Sequence, residues 1–321
     1  MKLSIVLTVY NKEPFLRRAF NALLMQENVT VSEYEVLVVN DGSTDGSIVI
    51  IDEYVRHDTR VRVLTQENQG LSVARNNGVK EALGEYVWFV DADDIVSSFA
   101  VSSICNAMTT MPDLIIFHAK TEGEDRIRNK IIPIANTGKK ILEQGLWEPC
   151  AVFSVANRDF LIKNDLRFLP GIYHEDDEYT PRLLYAAQSI MVIPEVLYTV
   201  IHEPNSITGV PRVKRAYDYL IVSESLGRFV EQKREEKTDT GKAIYNHAAL
   251  CINNGLHVIS LNKKEDQRLF NLYFSERKQR LIRILMSSAD SKYKIEGILF
   301  KLFCKNYVFI YKVLQLIKKI K

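Results

Sequence analysis

Between residues 3 and 117, five short β-branched runs alternate with four stretches of helical periodicity, and few folds accommodate that order. The runs are Leu3–Val9, Glu35–Val39, Val61–Thr65, Tyr86–Val90 and Leu114–Phe117. Between them, Pro14–Gln26, Asp45–Arg56, Ser72–Leu83 and Ser98–Met108 place apolar residues at helical spacing. Phe15, Ala19, Ala22 and Leu23 form one such stripe behind Pro14, which suits a helix's first turn. Ile48, Ile51 and Val55 form another, with Ser43 or Thr44 available as N-cap. Strands alternating with helices imply right-handed βαβ units in an α/β fold with a doubly wound, mostly parallel sheet. Ligands of such sheets sit beyond the carboxyl ends of the strands. The residues found there are polar: Thr8-Val9-Tyr10-Asn11 after the first strand, Asn40-Asp41-Gly42-Ser43-Thr44-Asp45 after the second, and Asp91-Ala92-Asp93-Asp94 after the fourth.

With 321 residues the chain has room for about two domains of roughly 100–200 residues each. Lys+Arg 42 against Asp+Glu 40 is too balanced a charge for nucleic acid to be the partner. The four cysteines form no Cys-x-x-Cys pair, which excludes a sequence-visible zinc cluster and fits a reducing compartment. No run approaches the ~20 apolar residues of a membrane span, and Met1–Tyr10, with no small-residue cleavage site, reads as a first strand and not as a signal peptide.

Two familiar phosphate-binding devices are missing. None of the 14 glycines lies two residues from another, so no G-x-G-x-x-G exists, and Gly42 and Gly46 are one residue too close for a P-loop. Clustered carboxylates suggest a divalent cation between protein and phosphate instead. Tyr86-Val87-Trp88-Phe89-Val90 reads as a buried central strand that delivers Asp91, Asp93 and Asp94 at its exit. Like charges this close repel unless a cation intervenes, and hard oxygen ligands suit Mg²⁺ or Mn²⁺. Taken alone, the same acids also suit the N-terminus of the helix that follows.

Four blocks in order carry a family resemblance: Ser4–Asn11, Val39–Asp45, Asn68–Asn76 and Gly84–Asp94. Residues 3–118 resemble the nucleotide-binding half of the inverting family 2 glycosyltransferases, enzymes of the GT-A fold, of the bacterial polysaccharide-biosynthesis type. The resemblance implies that Thr8, Tyr10 and Asp41 surround the base and ribose of a nucleotide sugar, that Arg75 helps hold the nucleotide, and that Asp91 and Asp93 form an Asp-x-Asp motif with Asp93 the leading metal ligand. Singly, each has a plainer reading: a strand-end turn at Tyr10, a turn and helix cap at Asp41, a solvated helix face at Arg75.

Glu175-Asp176-Asp177-Glu178 opens a further helical stretch, and four carboxylates there also suit an exposed helix N-terminus. In the family a Glu-Asp pair at this distance precedes an aromatic residue and a Leu-Leu-Tyr stretch, as Tyr179 and Leu183-Leu184-Tyr185 do here. The resemblance implies that Asp176 is the general base, with Asp177 and Glu178 competing for the role. An acceptor hydroxyl is a poor nucleophile until a positioned carboxylate takes its proton. His202, followed by Asn205 and Ser206, matches a family segment in which the His completes the metal site, although Val200 stands where Arg is usual. A surface loop is the alternative for His202.

The division implied is 1–118 for the nucleotide-sugar half, 119–212 for the acceptor half with the base, and 213–321 for a helical extension. Its last stretch, Ile295–Lys321, reads as one helix carrying six lysines after Gly297 and no acidic residue there. Lys301, Lys305, Lys312, Gln315 and Lys319 fall on one face, the pattern of a helix lying on an anionic membrane surface, with a core helix or dimer interface as the alternative. The function implied is a metal-dependent (Mn²⁺ or Mg²⁺), inverting, hexosyltransferase-type enzyme using a UDP-sugar and a saccharide or lipid-linked acceptor, cytoplasmic and peripheral at the inner face of the cell membrane. A sugar nucleotidylyltransferase would need a Gly-rich, Arg-containing loop after the first strand, which Thr8-Val9-Tyr10-Asn11-Lys12 does not provide. A non-catalytic sugar-nucleotide-binding scaffold would be indifferent to loss of Asp176.

Overall fold

The computed structural model describes residues 1–129, 137–145, 147–201, 212–303 and 306–320, and for 318–320 the backbone alone. The chain divides into two compact units, Met1–Gly171 with Arg182–His202, and Ile172–Pro181 with Glu203–Lys321. The first unit contains β1 (Leu3–Val9), α1 (Glu13–Leu24), β2 (Tyr34–Asp41), α2 (Ser47–His57), β3 (Val61–Gln66), α3 (Leu71–Glu81), β4 (Tyr86–Asp91), β5 (Ile95–Val96), α4 (Ala100–Ala107), β6 (Leu114–Thr121), β7 (Ile127–Arg128), α5 (Gly138–Gln144), β8 (Ser154–Asn157) and α6 (Arg158–Lys163). The helix α7 (Glu175–Ala186) follows, and β9 (Ile190–Val200) completes a sheet of nine strands among the described residues.

Strand order is β3-β2-β1-β4-β8-β6-β9-β5, with β7 on β6. The four strands from β3 to β4 are parallel, as is the β6–β9 pair, whereas β8 runs antiparallel between β4 and β6. Every residue of β1 is buried, as a strand covered on both faces requires. Trp88 of β4 is fully buried, edge-on to Phe117 with centroids 5.6 Å apart, and donates its indole N–H to the Val152 carbonyl at 3.0 Å. That bond satisfies the one polar atom an indole brings into a core. Helix α3 lies close on the sheet because Gly78 has no side chain: a Cβ there would stand 2.3 Å from Cγ1 of Val6.

The second unit is helical: α8 (Val213–Lys233), α9 (Asp239–Ser260), α10 (Lys264–Ser287), α11 (Ser291–Leu302) and α12 (Tyr307–Ile320), together with the first residues of α7. Its centre holds Phe270, Phe274, Phe300 and Tyr307, with Phe274 stacked on Tyr307 at 4.2 Å. This corrects the reading of Ile295–Lys321 as one helix. Phe300 and Tyr307 lie 5.5 Å apart, edge to face, and both touch Phe274. In an unbroken helix seven residues would separate them by about 10 Å along the axis, so the chain breaks between α11 and α12. Lys301 and Lys312 consequently sit on different helices, and Lys305 and Lys321 lie outside the described residues. Along α12, Tyr307, Val308 and Tyr311 are buried while Phe309, Val313, Leu316 and Ile317 are exposed. Among the described residues no helix is long and apolar enough to cross a membrane.

Candidate functional site

The exits of β1 and β2 are stitched together by side chains that accept backbone N–H groups. Asn11, held at φ 52°, takes the Thr44 amide on Oδ1 at 2.8 Å and gives its own amide to Ser43 Oγ at 3.1 Å. Lys12 donates its amide to Ser47 Oγ at 3.0 Å. Neither Ser43 nor Thr44 caps α2, contrary to the sequence expectation: the cap position is Gly46, and Asp45 accepts the amides of Ser47 and Glu13 while Glu13 accepts that of Gly46. A carboxylate offers acceptors to two segments at once, which a hydroxyl does less well.

Asp41 is 3% exposed, and its two oxygens accept the Gln66 amide group at 2.7 Å, the Gln69 N–H at 2.9 Å and the Gly70 N–H at 2.8 Å. It thereby fixes the loop that starts α3. Gly42 beside it has φ +71°, and a Cβ there would stand 2.8 Å from the Asn68 nitrogen, so only glycine fits. Asp41→Ala leaves two loop amides without their acceptor and is expected to destabilise the fold by about 2–3 kcal/mol, since bonds to a charged acceptor are the stronger ones. Urea unfolding measures this, and an unchanged midpoint would show that the loop holds itself.

Thr8 and Asp91 are register partners across β1 and β4, and Tyr10, about half exposed, stands two residues beyond Thr8. Arg75 is not a solvated face. It is 1% exposed, its guanidinium lies against the rings of Phe89 and Phe168, and Nη2 reaches Asp91 Oδ1 at 3.2 Å. Asn76, next to it, clamps Phe168 by both backbone groups, at 2.8 and 2.9 Å.

The three acids at the exit of β4 each have a partner from the chain itself. Asp91 pairs with Arg75, Asp93 with the Lys12 ammonium, and the Asp93 carbonyl accepts from Arg18. Asp94 turns inward: its oxygens accept the Tyr198 hydroxyl and the Ile201 amide, both at 2.8 Å, and the same hydroxyl accepts the Asp91 amide at 3.1 Å. Burial, followed by the charge of Asp91, pushes the Asp94 carboxyl up to about 7. Asp91 and Asp93 keep partly exposed carboxylates. His202, expected as a further ligand, lies outside the described residues, as do Asn205 and Ser206.

In the helical unit the first turn of α7 carries Glu175, Asp176, Asp177 and Glu178. Asp177 is engaged by His247 Nε2 at 3.1 Å and His174 Nδ1 at 3.6 Å, with Cys251 Sγ at 4.0 Å. Among the described residues these three, Asp177, His247 and Cys251, are the one group of metal-type donors within mutual reach. Glu178, 3% exposed, accepts the Ser225 hydroxyl at 2.8 Å. His174 stacks on Tyr219 at 3.8 Å, accepts from Arg215 Nε at 3.2 Å, and is pushed down to about 4 by burial, which the Asp177 charge offsets only in part.

That depression predicts a pH dependence. Above its ordinary value of 6.5, His174 is neutral folded or unfolded and contributes no slope. As pH falls from 6.5 to about 4 the unfolded chain binds a proton that the folded chain refuses, so stability drops, by about 3 kcal/mol at most. Unfolding free energies measured across that window should show the fall, and His174→Asn should flatten it.

The profile of glycosyl transferase family 2 matches residues 4–163. An uncharacterized glycosyltransferase of Haemophilus influenzae is 34% identical over 179 residues, which are 54% of this chain and 68% of that protein. The chain belongs to glycosyl transferase family 2. The uncharacterized glycosyltransferase YibD of Escherichia coli is 31% identical over 228 residues, 66% of this chain and 64% of that relative. The chain thus spans a little under two thirds of that relative's length. Among solved structures, residues 1–349 of S. aureus TarS in complex with UDP-GlcNAc superpose with a TM-score of 0.77 at 20% identity, covering 98% of this chain and 92% of that one. At that identity the likeness is one of fold, and it bears out the GT-A-like architecture. Lys12 as the partner of Asp93, and Tyr198 as the partner of Asp94, joined the site only in the structure. Lys12 and Asn11 were legible as a strand exit, whereas nothing in the sequence tied Tyr198 to Asp94.

Proposed function

We propose that this chain is a metal-dependent, inverting, hexosyltransferase-type glycosyltransferase that moves a sugar from a UDP-sugar to a hydroxyl of a saccharide or lipid-linked acceptor in surface-polysaccharide assembly. The observation that carries it is one sheet edge that gathers Thr8, Tyr10, Asp41, Arg75, Asp91 and Asp93 from the exits of β1, β2 and β4 and the start of α3. The binding of UDP-GlcNAc by TarS, which shares the fold, favours a UDP-sugar donor. In this reading residues 1–118 hold the nucleotide, 119–212 include the base, and 213–321 form an extension.

The donor set suits Mn²⁺ or Mg²⁺: hard carboxylate oxygens, partly exposed, with a cation already accepted at Asp93 in the form of Lys12. Asp93, Asp91 and His202 would hold the ion. When bound, it supplies positive charge to the leaving diphosphate. Tyr10 offers a stacking face to the base, and Asp41 sets the loop at Gln69 and Gly70 beside it. Arg75, paired with Asp91, orients that carboxylate. Asp176 takes the proton of the acceptor hydroxyl as it attacks the far face of the sugar, and one displacement inverts the anomeric centre.

The exposed side of α12 and the lysines of residues 297–321 support a peripheral position at the inner face of the cell membrane. A screen of common nucleotide sugars for release of nucleoside diphosphate tests the activity. Release of pyrophosphate instead would indicate a nucleotidylyltransferase, and binding without turnover a scaffold.

A further inference from the structure

We infer that the groove between α10 and α12 is a docking site for the phosphate headgroups of an anionic lipid bilayer, a reading that rests on the peripheral-membrane part of the proposed function. The groove has a volume of about 580 Å³ and presents the cationic side chains of Lys264, Arg268 and Lys312, with no carboxylate in its lining. Lys264 and Arg268 are one helical turn apart on α10, and Lys312 reaches across from α12 to the Gln267 side-chain oxygen at 3.2 Å. None of the three forms an ion pair with a described residue, whereas further along the same helix Arg277 and Arg280 pair with Glu224 and Arg283 pairs with Glu231. Three convergent cations in a lining that holds no carboxylate focus a positive field that an anion relieves.

The apolar surroundings decide which anion source fits. Phe309 lines the groove together with Lys312, and Phe309, Val313, Leu316 and Ile317 follow one another at helical spacing along the exposed side of α12. Leu302 and Phe303 are exposed at the end of α11. A free phosphate would use the cations and leave this apolar face in water. A bilayer satisfies both, with phosphates in the groove and the Phe309 stripe among the acyl chains just below them. The opposite side of α12, through Tyr307, Val308 and Tyr311, is already committed to the core, so the stripe is available without unfolding the helix.

The test is cosedimentation of the full chain with vesicles of phosphatidylcholine alone and with phosphatidylglycerol mixed in. Binding is expected to the mixed vesicles only. The triple variant Lys264→Gln, Arg268→Gln, Lys312→Gln should lose about 100-fold in partitioning, the scale of three cations at an anionic surface. The variant Lys80→Gln, Lys120→Gln, Lys163→Gln removes the same charge from exposed positions of the other unit and should keep binding. Phe309→Ser should weaken binding too. Equal loss in both triple variants, or equal binding to both vesicles, overturns the proposal. Displacement by inorganic phosphate at matched ionic strength would assign the groove to a free anion and overturn it as well. So would a dimer that Phe309→Ser dissociates in sedimentation velocity with no vesicle binding, which would assign the face to a second copy. Nucleoside diphosphate release with a soluble acceptor, measured on the same variants, is expected to be unchanged. Vesicle binding by a chain that turns over no nucleotide sugar would sink the enzymatic reading and leave the groove standing.

Discussion

Asp176→Asn is expected to lower sugar transfer by about 100-fold or more, the scale of a lost general base, while donor affinity measured by calorimetry stays as it was. The carboxylate sits in the first turn of α7. Asparagine keeps the shape and removes the ability to take a proton. The adjacent acids are occupied differently. Asp177 is held by His247 and His174, and Glu178 is buried on Ser225. Asp177→Asn should therefore show mainly as a lower thermal midpoint, because it weakens contacts inside the helical unit, with transfer per folded molecule little affected. Retained transfer in Asp176→Asn with abolished transfer in a well-folded Asp177→Asn would move the base one residue along. Indifference of turnover to the loss of Asp176, Asp177 and Glu178 alike would remove the base from these three positions.

Removal of divalent metal, or Asp93→Ala, is expected to weaken binding of UDP by about 100-fold, since one cation facing a diphosphate supplies several kcal/mol of charge stabilisation. The sheet edge carries no glycine-rich phosphate loop; Arg75, Lys12 and Arg18 bring positive charge there, and all three are engaged by Asp91 or Asp93. A metal at Asp93 would compete with Lys12 for the same carboxylate. Lys12→Met should accordingly raise metal affinity while leaving the dependence on metal in place. Calorimetry with Mn²⁺, with Mg²⁺ and with chelator separates these outcomes. Nucleotide affinity that ignores the chelator would show that Lys12 and Arg75 suffice and that the carboxylates do not hold a metal.

Much of the first 118 residues was legible because its signals are local. The strands β1 to β4 lie within a residue or two of their β-branched runs, and the polar exits follow directly in sequence. Of the elements that escaped, two did so for opposite reasons. The four residues of β8 are too short to show a period, although they occupy the middle of the sheet between β4 and β6. The last helix showed too clean a period: lysine spacing ran on across residues 303–306, and only the demand that Phe300 and Tyr307 share Phe274 broke it.

Which residues collect at the sheet edge was determined by the sequence alone, since alternation of strand and helix dictates a parallel sheet and a parallel sheet exposes its carboxyl ends together. What those residues do to one another was decided by tertiary structure. Lys12 and Asp93 are 81 positions apart and Tyr198 and Asp94 are 104 apart, and no periodicity spans such distances. The sequence presents Asp91, Asp93 and Asp94 as three equal charges. The fold makes them different by giving one a buried arginine, one a lysine and the third a tyrosine hydroxyl in the core, because the state of a carboxylate depends on its burial and on its partners, and both are set by parts of the chain that meet only on folding.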